Sequence, residues 1–263
     1  MGLYAVSGSA SGIGAAVRKY LEAGGNEVIG IDLRGQEIDA DFSIAAGRSH
    51  AVVELERLSK GRLDGLVAAA GVGASHEPIE RIVAINYFGC VGLIDGARKM
   101  LERAGSAGSP GQSAGAGGSV VALASNTALA LPDFGGPIED VCLAGREAEA
   151  LAQAVGLDGP RCYVSAKRAL VRWVRRNAPE WMKAGVRLNA IAPGPVRTPL
   201  MARDRAHPVI GPNFDAFPVP AGRPAEAEEI AEAIGFLLRH PYCCGSVFCV
   251  DGGGDAVMRA DTI

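Results

Sequence analysis

The stretch LYAVSGSASGIGAAVRKYLEAGG, residues 3–25, begins as a short apolar run and ends as a helical repeat closed by two glycines. LYAVS (3–7) reads as a buried strand and IGAAVRKYLEAG (13–24) as a helix, because apolar side chains recur at helical spacing and Gly24 and Gly25 end the pattern. Between the two lie Gly8, Gly12 and Gly14, a GxxxGxG spacing that differs from the commoner GxGxxG. Glycines there permit a tight turn and bring backbone close to an anion at the helix N-terminus, the place of a dinucleotide pyrophosphate. A glycine-rich turn alone decides little; its position directly after the first strand is what gives it meaning.

The same alternation runs to the end of the chain. Apolar runs EVIGID (27–32), IDADF (38–42), LDGLVAAAG (63–71), SVVALAS (119–125), VRLNAIAPG (186–194) and GSVFCVDGG (245–253) read as further strands. Helical patterns lie between them: IAAGRSHAVVELERL (44–58), a long helix over about 79–103, and one through Tyr163 to about Trp181. Another is opened by Pro224, with Glu226, Glu228 and Glu229 in its first turn, where the helix dipole favours acids. Strands that are apolar throughout and alternate with helices imply a parallel sheet covered on both faces. The expectation is a single α/β domain over residues 1–263, a doubly wound sheet of seven mainly parallel strands. The low-complexity patch AGSAGSPGQSAGAGGS (104–119) reads as a flexible surface loop rather than a boundary, since the strand after it must return to the sheet.

Composition excludes several classes. Hydrophobic residues make up 48% and charged ones 21%, the balance of a soluble chain with a sizeable core. A net charge of −3 gives no reason to expect nucleic acid or an anionic membrane as partner. The six cysteines form no CxxC pair and, with four scattered histidines, no zinc spacing, so no metal is expected. No signal-peptide pattern opens the chain, and no apolar run approaches the ~20 residues of a membrane span. A reducing cytoplasm is the expected location.

Asp32 ends the second strand, 18 residues after Gly14, where a carboxylate can bind ribose hydroxyls; it can equally be a strand-end cap. Against a 2′-phosphate at ~4 Å and an effective dielectric of ~20, it would cost several kcal/mol per charge pair. NAD is therefore expected over NADP, with Arg34 the residue able to reverse the preference. Tyr163 and Lys167 form YxxxK, one helical turn apart on one face, where an ammonium would favour the phenolate.

With GxxxGxG at the start and YxxxK beyond the middle, the chain resembles the short-chain dehydrogenase/reductase family along essentially its whole length. LVAAAG (66–71) stands where the family has NNAG, both asparagines replaced by alanine. INYFG (85–89), GGSVVALAS (117–125), RLNAIAPGPVRTPL (187–200) and VDGGGD (250–255) follow in order. SGSASGIGAAVRKYLEAGG, IGIDLR, NYFG, VDGGGDAVMR and the extra segment before Tyr163 are similar to the bacterial 3α-hydroxysteroid dehydrogenase/carbonyl reductase branch.

The resemblance implies a Rossmann-type fold and a catalytic set of Asn86, Ser125, Tyr163 and Lys167. Tyr163 would exchange the alcohol proton, Ser125 bind the substrate oxygen, Lys167 hold the nicotinamide ribose, and Asn86 support a water chain. NAD contacts are implied at Gly8, Ser9, Ser11, Gly12, Ile13 and Gly14 in the first turn, and at Asp32 and Leu33 after the second strand. Further contacts are implied at Asp41 and Phe42, at Ala70 and Gly71, and at Pro193, Val196 and Thr198, besides Tyr163 and Lys167. Beside Ser125, the substrate pocket would take Leu200, Met201, Phe214 and Phe217 from a covering loop at about 195–220, although core packing is an equal reading for the two phenylalanines.

Between Ser125 and Tyr163 lie 37 residues, where the family has a much shorter link, so 126–162 is read as an insertion. VCLAGREAEALAQAV (141–155) reads as one amphipathic helix with Leu143, Leu151 and Val155 as its apolar marks. It is either a lid or interface element or a tolerated surface insertion, and deleting roughly 133–158 is expected to change oligomeric state or substrate range without unfolding the sheet. In the resembled branch it blocks tetramer packing, so a homodimer is expected, a homotetramer being the other possibility. The expected activity is NAD(H)-dependent interconversion of an apolar alicyclic secondary alcohol and its ketone, with a hydroxysteroid favoured over a monoterpenoid alcohol. The reading from another class, a non-catalytic dinucleotide-binding protein, is opposed by the intact catalytic set.

Overall fold

A computed structural model describes residues 1–106, 117–131, 134 and 136–261; the centre of the expected 104–119 loop lies outside the described residues. Strands β1 (Leu3–Ser7), β2 (Glu27–Asp32), β3 (Ile38–Asp39), β4 (Gly65–Ala68), β5 (Ser119–Leu123), β6 (Arg187–Pro193) and β7 (Val247–Val250) form one sheet. Its order is β3-β2-β1-β4-β5-β6-β7, and every pairing is parallel. The order reverses between β1 and β4, which opens a crevice at the carboxyl ends of those two strands.

The helices are α1 (Gly12–Ala23), α2 (Ala45–Leu58), α3 (Glu80–Val83), α4 (Cys90–Ser106), α5 (Thr127–Ala130) and α6 (Ile138–Leu143). They continue as α7 (Glu147–Ala154), α8 (Gly159–Lys183), α9 (Pro199–Ala206), α10 (Gly211–Ala216), α11 (Ala227–Arg239) and α12 (Gly254–Met258). Val6, Val67, Val121 and Ile191 point to the α1–α11 face, where Val17, Leu21, Ile230 and Ile234 cover them. Ala5, Leu66, Val120 and Leu188 point to the other face, packed by Leu55, Leu93, Leu101 and Leu170. Both sides of each central strand are therefore dry, which is why the strands carry no polar alternation.

Four expectations are corrected. The 79–103 helix is interrupted by a π-helical turn, Ala84–Gly89, between α3 and α4. The 141–155 helix is two, because Gly145 takes φ +70°, a left-handed conformation that breaks the pattern after Leu143. Pro224 does not open α11; Glu226 caps it, accepting from the Glu229 backbone while the Glu229 carboxylate takes the Glu226 N–H at 2.8 Å. Residues 195–220 are not an irregular loop but contain α9 and α10, the first begun by Pro199 behind the Thr198 cap.

The insertion is also more deeply built in than its sequence suggests. Val155 is 66% exposed and Leu143 and Leu151 only half-buried, while Ile138, Val141, Cys142, Ala150 and Ala154 enter the main core. Of the expected stripe, Leu143 and Leu151 pack against the edge of that core and only Val155 faces solvent, while small residues fill the closest contacts. Glu139, 8% exposed, ties α6 to α8 by accepting from Arg168 at 2.7 Å and Arg172 at 3.2 Å. Deleting 133–158 would thus uncover core rather than trim a surface. Glu139→Ala leaves two guanidiniums without their shared acid. It should lower stability by roughly 2 kcal/mol, seen as a fall in Tm of about 4–8 °C with the fold retained.

Candidate active site

A cavity of about 750 Å³ opens at the carboxyl ends of the strands. Its floor is the turn from β1 into α1. Gly8 holds φ +71° there, and a Cβ on it would meet the Ala69–Ala70 backbone. Ser11 sits at the N-cap of α1 in extended conformation without a side-chain cap bond. The first N–H groups of α1 thus have no side-chain cap, an arrangement suited to an anion. Gly8, Ser11, Gly12, Ile13 and Gly14 line the cavity. Ser9 does not: it is buried, and its hydroxyl donates to Gln36 Oε1 at 2.8 Å. The expected contact at Ser9 is corrected, because the turn directs that side chain behind β2.

Asp32 lines the cavity and at the same time caps the turn, accepting from Ala10 N at 3.0 Å and Leu33 N at 2.7 Å. The strand-end cap is thus seen, on a residue that also faces the cavity. Arg34 is exposed and outside the lining, and Arg18 is held by Glu37 at 2.7 Å. Leu33, Asp41, Phe42, Ala70, Gly71, Pro193, Val196 and Thr198 all face the cavity. Thr198 donates to Val196 O and accepts from Met201 N, each at 3.2 Å, which sets the start of α9.

The four catalytic candidates converge on the same cavity. Asn86 lies on the π-helical turn, fully buried, with Oδ1 accepting from Val72 N at 2.9 Å and Nδ2 donating to Val72 O at 3.0 Å. Widened turns of this kind re-aim one side chain and cluster at functional sites. Ser125, just beyond β5, shares a 2.9 Å hydrogen bond with Thr127 Oγ1. Tyr163 and Lys167 stand one turn apart on α8, and Lys167 Nζ donates to Leu123 O at 2.6 Å, 5.9 Å from the Tyr163 ring centre.

Burial pushes the Tyr163 phenol up to about 12; a hydrogen bond with Ser125 opposes this and the charge of Asp204 adds to it. Burial pushes the Lys167 ammonium down to about 8, with Cys90 acting weakly the other way. The expected lowering of Tyr163 by Lys167 is therefore not seen. Removal of water outweighs a cation whose donor is already committed to a carbonyl.

The apolar residues also fall where expected: Leu200, Met201, Phe214 and Phe217 all line the cavity, so the two phenylalanines are wall rather than core. Leu131, Phe134 and Val164 extend that wall from the insertion and α8. Asp204 escaped the sequence reading. It is 5% exposed and accepts from Ala74 N at 3.0 Å, Ser75 N at 3.1 Å and Ser75 Oγ at 2.5 Å, joining α9 to the segment after β4. No local motif marks it, because its partners lie about 130 residues away and two of them are backbone.

A sheet of this order with a strand-end serine, a helix-borne tyrosine and lysine and a buried asparagine defines a nucleotide-dependent oxidoreductase site. The chain belongs to the short-chain dehydrogenase/reductase family. It is 39% identical over 98% of its length, and 98% of the relative's, to a 3-alpha-hydroxysteroid dehydrogenase/carbonyl reductase of Comamonas testosteroni. It is 30% identical, over 94% of each chain, to a coniferyl-alcohol dehydrogenase of a Pseudomonas species. The crystal structure of a 3-alpha-hydroxysteroid dehydrogenase from Pseudomonas sp. B-0831, complexed with NADH, matches 99% of this chain and 100% of its own. The TM-score is 0.91 at 40% identity. Residues 148–255 also match a family model described as enoyl-(acyl carrier protein) reductase.

The low value at Lys167 has a consequence for stability. In the unfolded chain a lysine titrates near ~10.4, so below the folded value of about 8 the native state carries a costly buried charge. Lys167→Met removes that cost, on the order of 3 kcal/mol, less about 1 kcal/mol for the lost bond to Leu123. Its Tm at pH 7 should rise above wild type while turnover is lost. The advantage should shrink between pH 8 and pH 10.5, where the wild-type native state sheds its proton before the unfolded chain does.

Proposed function

We propose that this protein is an NAD(H)-dependent alcohol dehydrogenase/carbonyl reductase that interconverts an apolar alicyclic secondary alcohol and its ketone, with hydroxysteroids as the favoured class. The observation that carries this reading is the convergence of Ser125, Tyr163 and Lys167 on a cavity whose α9–α10 wall is apolar. The naming of relatives as hydroxysteroid dehydrogenases supports the substrate class. Asp32 on the wall, with Arg34 outside it and Arg18 engaged by Glu37, supports NAD over NADP, as does NADH in a related structure.

The residues present fit a dinucleotide: uncapped N–H groups at α1 suit its diphosphate, Asp32 a ribose diol, and the Asp41–Phe42 wall its adenine. Bound NAD supplies a hydride-accepting carbon and, when oxidised, a positive charge that favours the Tyr163 phenolate. In oxidation, Tyr163 Oη takes the proton from the substrate hydroxyl. Ser125 Oγ hydrogen-bonds the same oxygen and holds it as negative charge develops. Lys167 orients the ribose and, from its seat on Leu123, keeps positive charge behind the phenol. Asn86, by holding the Val72 carbonyl and N–H, fixes the segment after β4 that lines the cavity beside Lys167.

Helix α6 covers part of α8, with α7 packed beside it on α6 and α3, which supports subunit pairing through another face and so a dimer over a tetramer. The six free thiols suit a reducing compartment, and we place the enzyme in the cytoplasm on that basis.

Comparing kcat/KM with NAD and NADP on hydroxysteroid and terpenoid alcohols tests cofactor and substrate together. Tyr163→Phe keeps the ring and should lower oxidation by ~10²–10⁴-fold or more while NAD binding stays near wild type. Near-normal turnover by that variant would remove the mechanism; a preference for NADP would overturn the role of Asp32.

A further inference from the structure

Arg48 lies on α2 with its side chain 9% exposed, in a place where a guanidinium needs partners. It has them from two directions. Its Nη2 donates to both oxygens of Glu147 at 2.7 Å, and its Nη1 donates to the carbonyl of Phe42 at 3.2 Å. Glu147 is the first residue of α7, so the bond crosses 99 residues to reach the inserted segment, and its charge also suits that helix start. Phe42 belongs to the cavity wall, together with Asp41 and Ser43.

The local structure explains why that wall needs a brace. The chain passes from β3 through Asp41, Phe42 and Ser43 into α2, whose N-cap Ile44 offers no side-chain hydrogen bond. Arg48, one turn inside α2, is the side chain that reaches back to the incoming segment. Gly92 of α4 lies alongside it, where a Cβ would make ordinary van der Waals contact with Arg48 Cδ at 3.5 Å. Gly89 on the π-helical turn presses against the other side of Phe42: a Cβ there would approach Phe42 Cβ to 2.9 Å. Phe42 is thus gripped between the helix that carries Asn86 and the Arg48 guanidinium. A planar guanidinium can serve a carboxylate and a carbonyl at once, which a lysine ammonium on a flexible stem does poorly.

We infer that Arg48 is a positioning residue for the adenine end of the cofactor cleft and that the insertion, through Glu147, holds it in place. Glu147 neutralises Arg48 and fixes its rotamer; Arg48 fixes the Phe42 carbonyl; the Asp41–Ser43 wall is then set before a ligand arrives. The segment 126–162 therefore acts at two remote ends of one cavity, lining the substrate side with Leu131 and Phe134 and bracing the nucleotide side with Glu147. The inference rests on the NAD reading above, through the assignment of Asp41 and Phe42 to adenine.

The test uses the full-length enzyme and two variants. Glu147→Gln keeps size and one acceptor oxygen, and Arg48→Lys keeps the charge opposite Glu147, so each preserves packing. NAD affinity is measured by fluorescence titration, and AMP, which carries only the adenine end, by its competitive inhibition constant. In both variants the NAD Kd and the AMP inhibition constant should rise together, by about tenfold, the scale of one hydrogen bond to a charged group. Meanwhile kcat at saturating NAD and KM for the alcohol should stay at wild-type values. Variants that melt lower yet bind NAD and AMP as wild type does would show the pair to be scaffold only and overturn the inference. A rise in NAD Kd without a rise for AMP would overturn it as well, by placing the effect away from adenine. Wild type that binds neither NAD nor AMP would overturn the cofactor reading and this inference with it.

Discussion

A single hydrogen bond sets the geometry of the site: Lys167 Nζ to the Leu123 carbonyl at 2.6 Å. Leu123 ends β5, two residues before Ser125, and Lys167 lies one turn after Tyr163 on α8. The bond therefore pins the helix that carries the tyrosine to the strand that carries the serine. Neither element alone could set that distance, since one belongs to the sheet and the other to the layer above it. The parallel order of the sheet brings Leu123 to the cleft, because in such a sheet all strands deliver their carboxyl ends to the same edge.

The same burial that makes this bond strong also fixes the resting charge state. Tyr163 at about 12 and Lys167 at about 8 are displaced in opposite directions, each away from its charged form. Burial thus favours the protonated phenol, and Asp204 reinforces this from α9. Because Asp204 lies on α9 and accepts from the Ala74–Ser75 turn, the same carboxylate is a structural tie and an electrostatic influence.

Much of this was legible in the sequence, for local reasons. The strands are short apolar runs between glycines, the glycine turn follows the first of them, and the tyrosine–lysine spacing is that of one helical turn. Each signal is complete within a few residues. What escaped was non-local or carried by small side chains. Ser9 looked like a cofactor contact because it stands among the turn glycines, but Gln36, in the link from β2 to β3, takes its hydroxyl. The insertion looked like a surface helix because Leu143, Leu151 and Val155 were counted; its buried face is made of Ile138 and Val141 together with the small Cys142, Ala150 and Ala154. The expected effect of Lys167 on Tyr163 failed for another reason: spacing gives proximity but says nothing about desolvation.

Under the proposed function, the division of the cavity has a consequence for selectivity. The reacting oxygen is the one atom of an apolar alcohol that Ser125 and Tyr163 can hold by hydrogen bonds. Leu200, Met201, Ile210, Phe214 and Phe217 meet the rest of the molecule with shape alone. A wall of that kind discriminates weakly, about 1–3 kcal/mol for a methylene gained or lost, whereas buried polar partners reject an unmatched substrate far more sharply. Met201 softens the fit further, since an unbranched thioether repacks around different ring outlines. Positional selectivity must then come from where the ring system can lie while its oxygen reaches Ser125. That is set by the height of α9 and α10 above α8, and Asp204 holds α9 there. A tight hydrogen-bonded end and an adaptable apolar end together favour a fixed reaction on a range of ring systems.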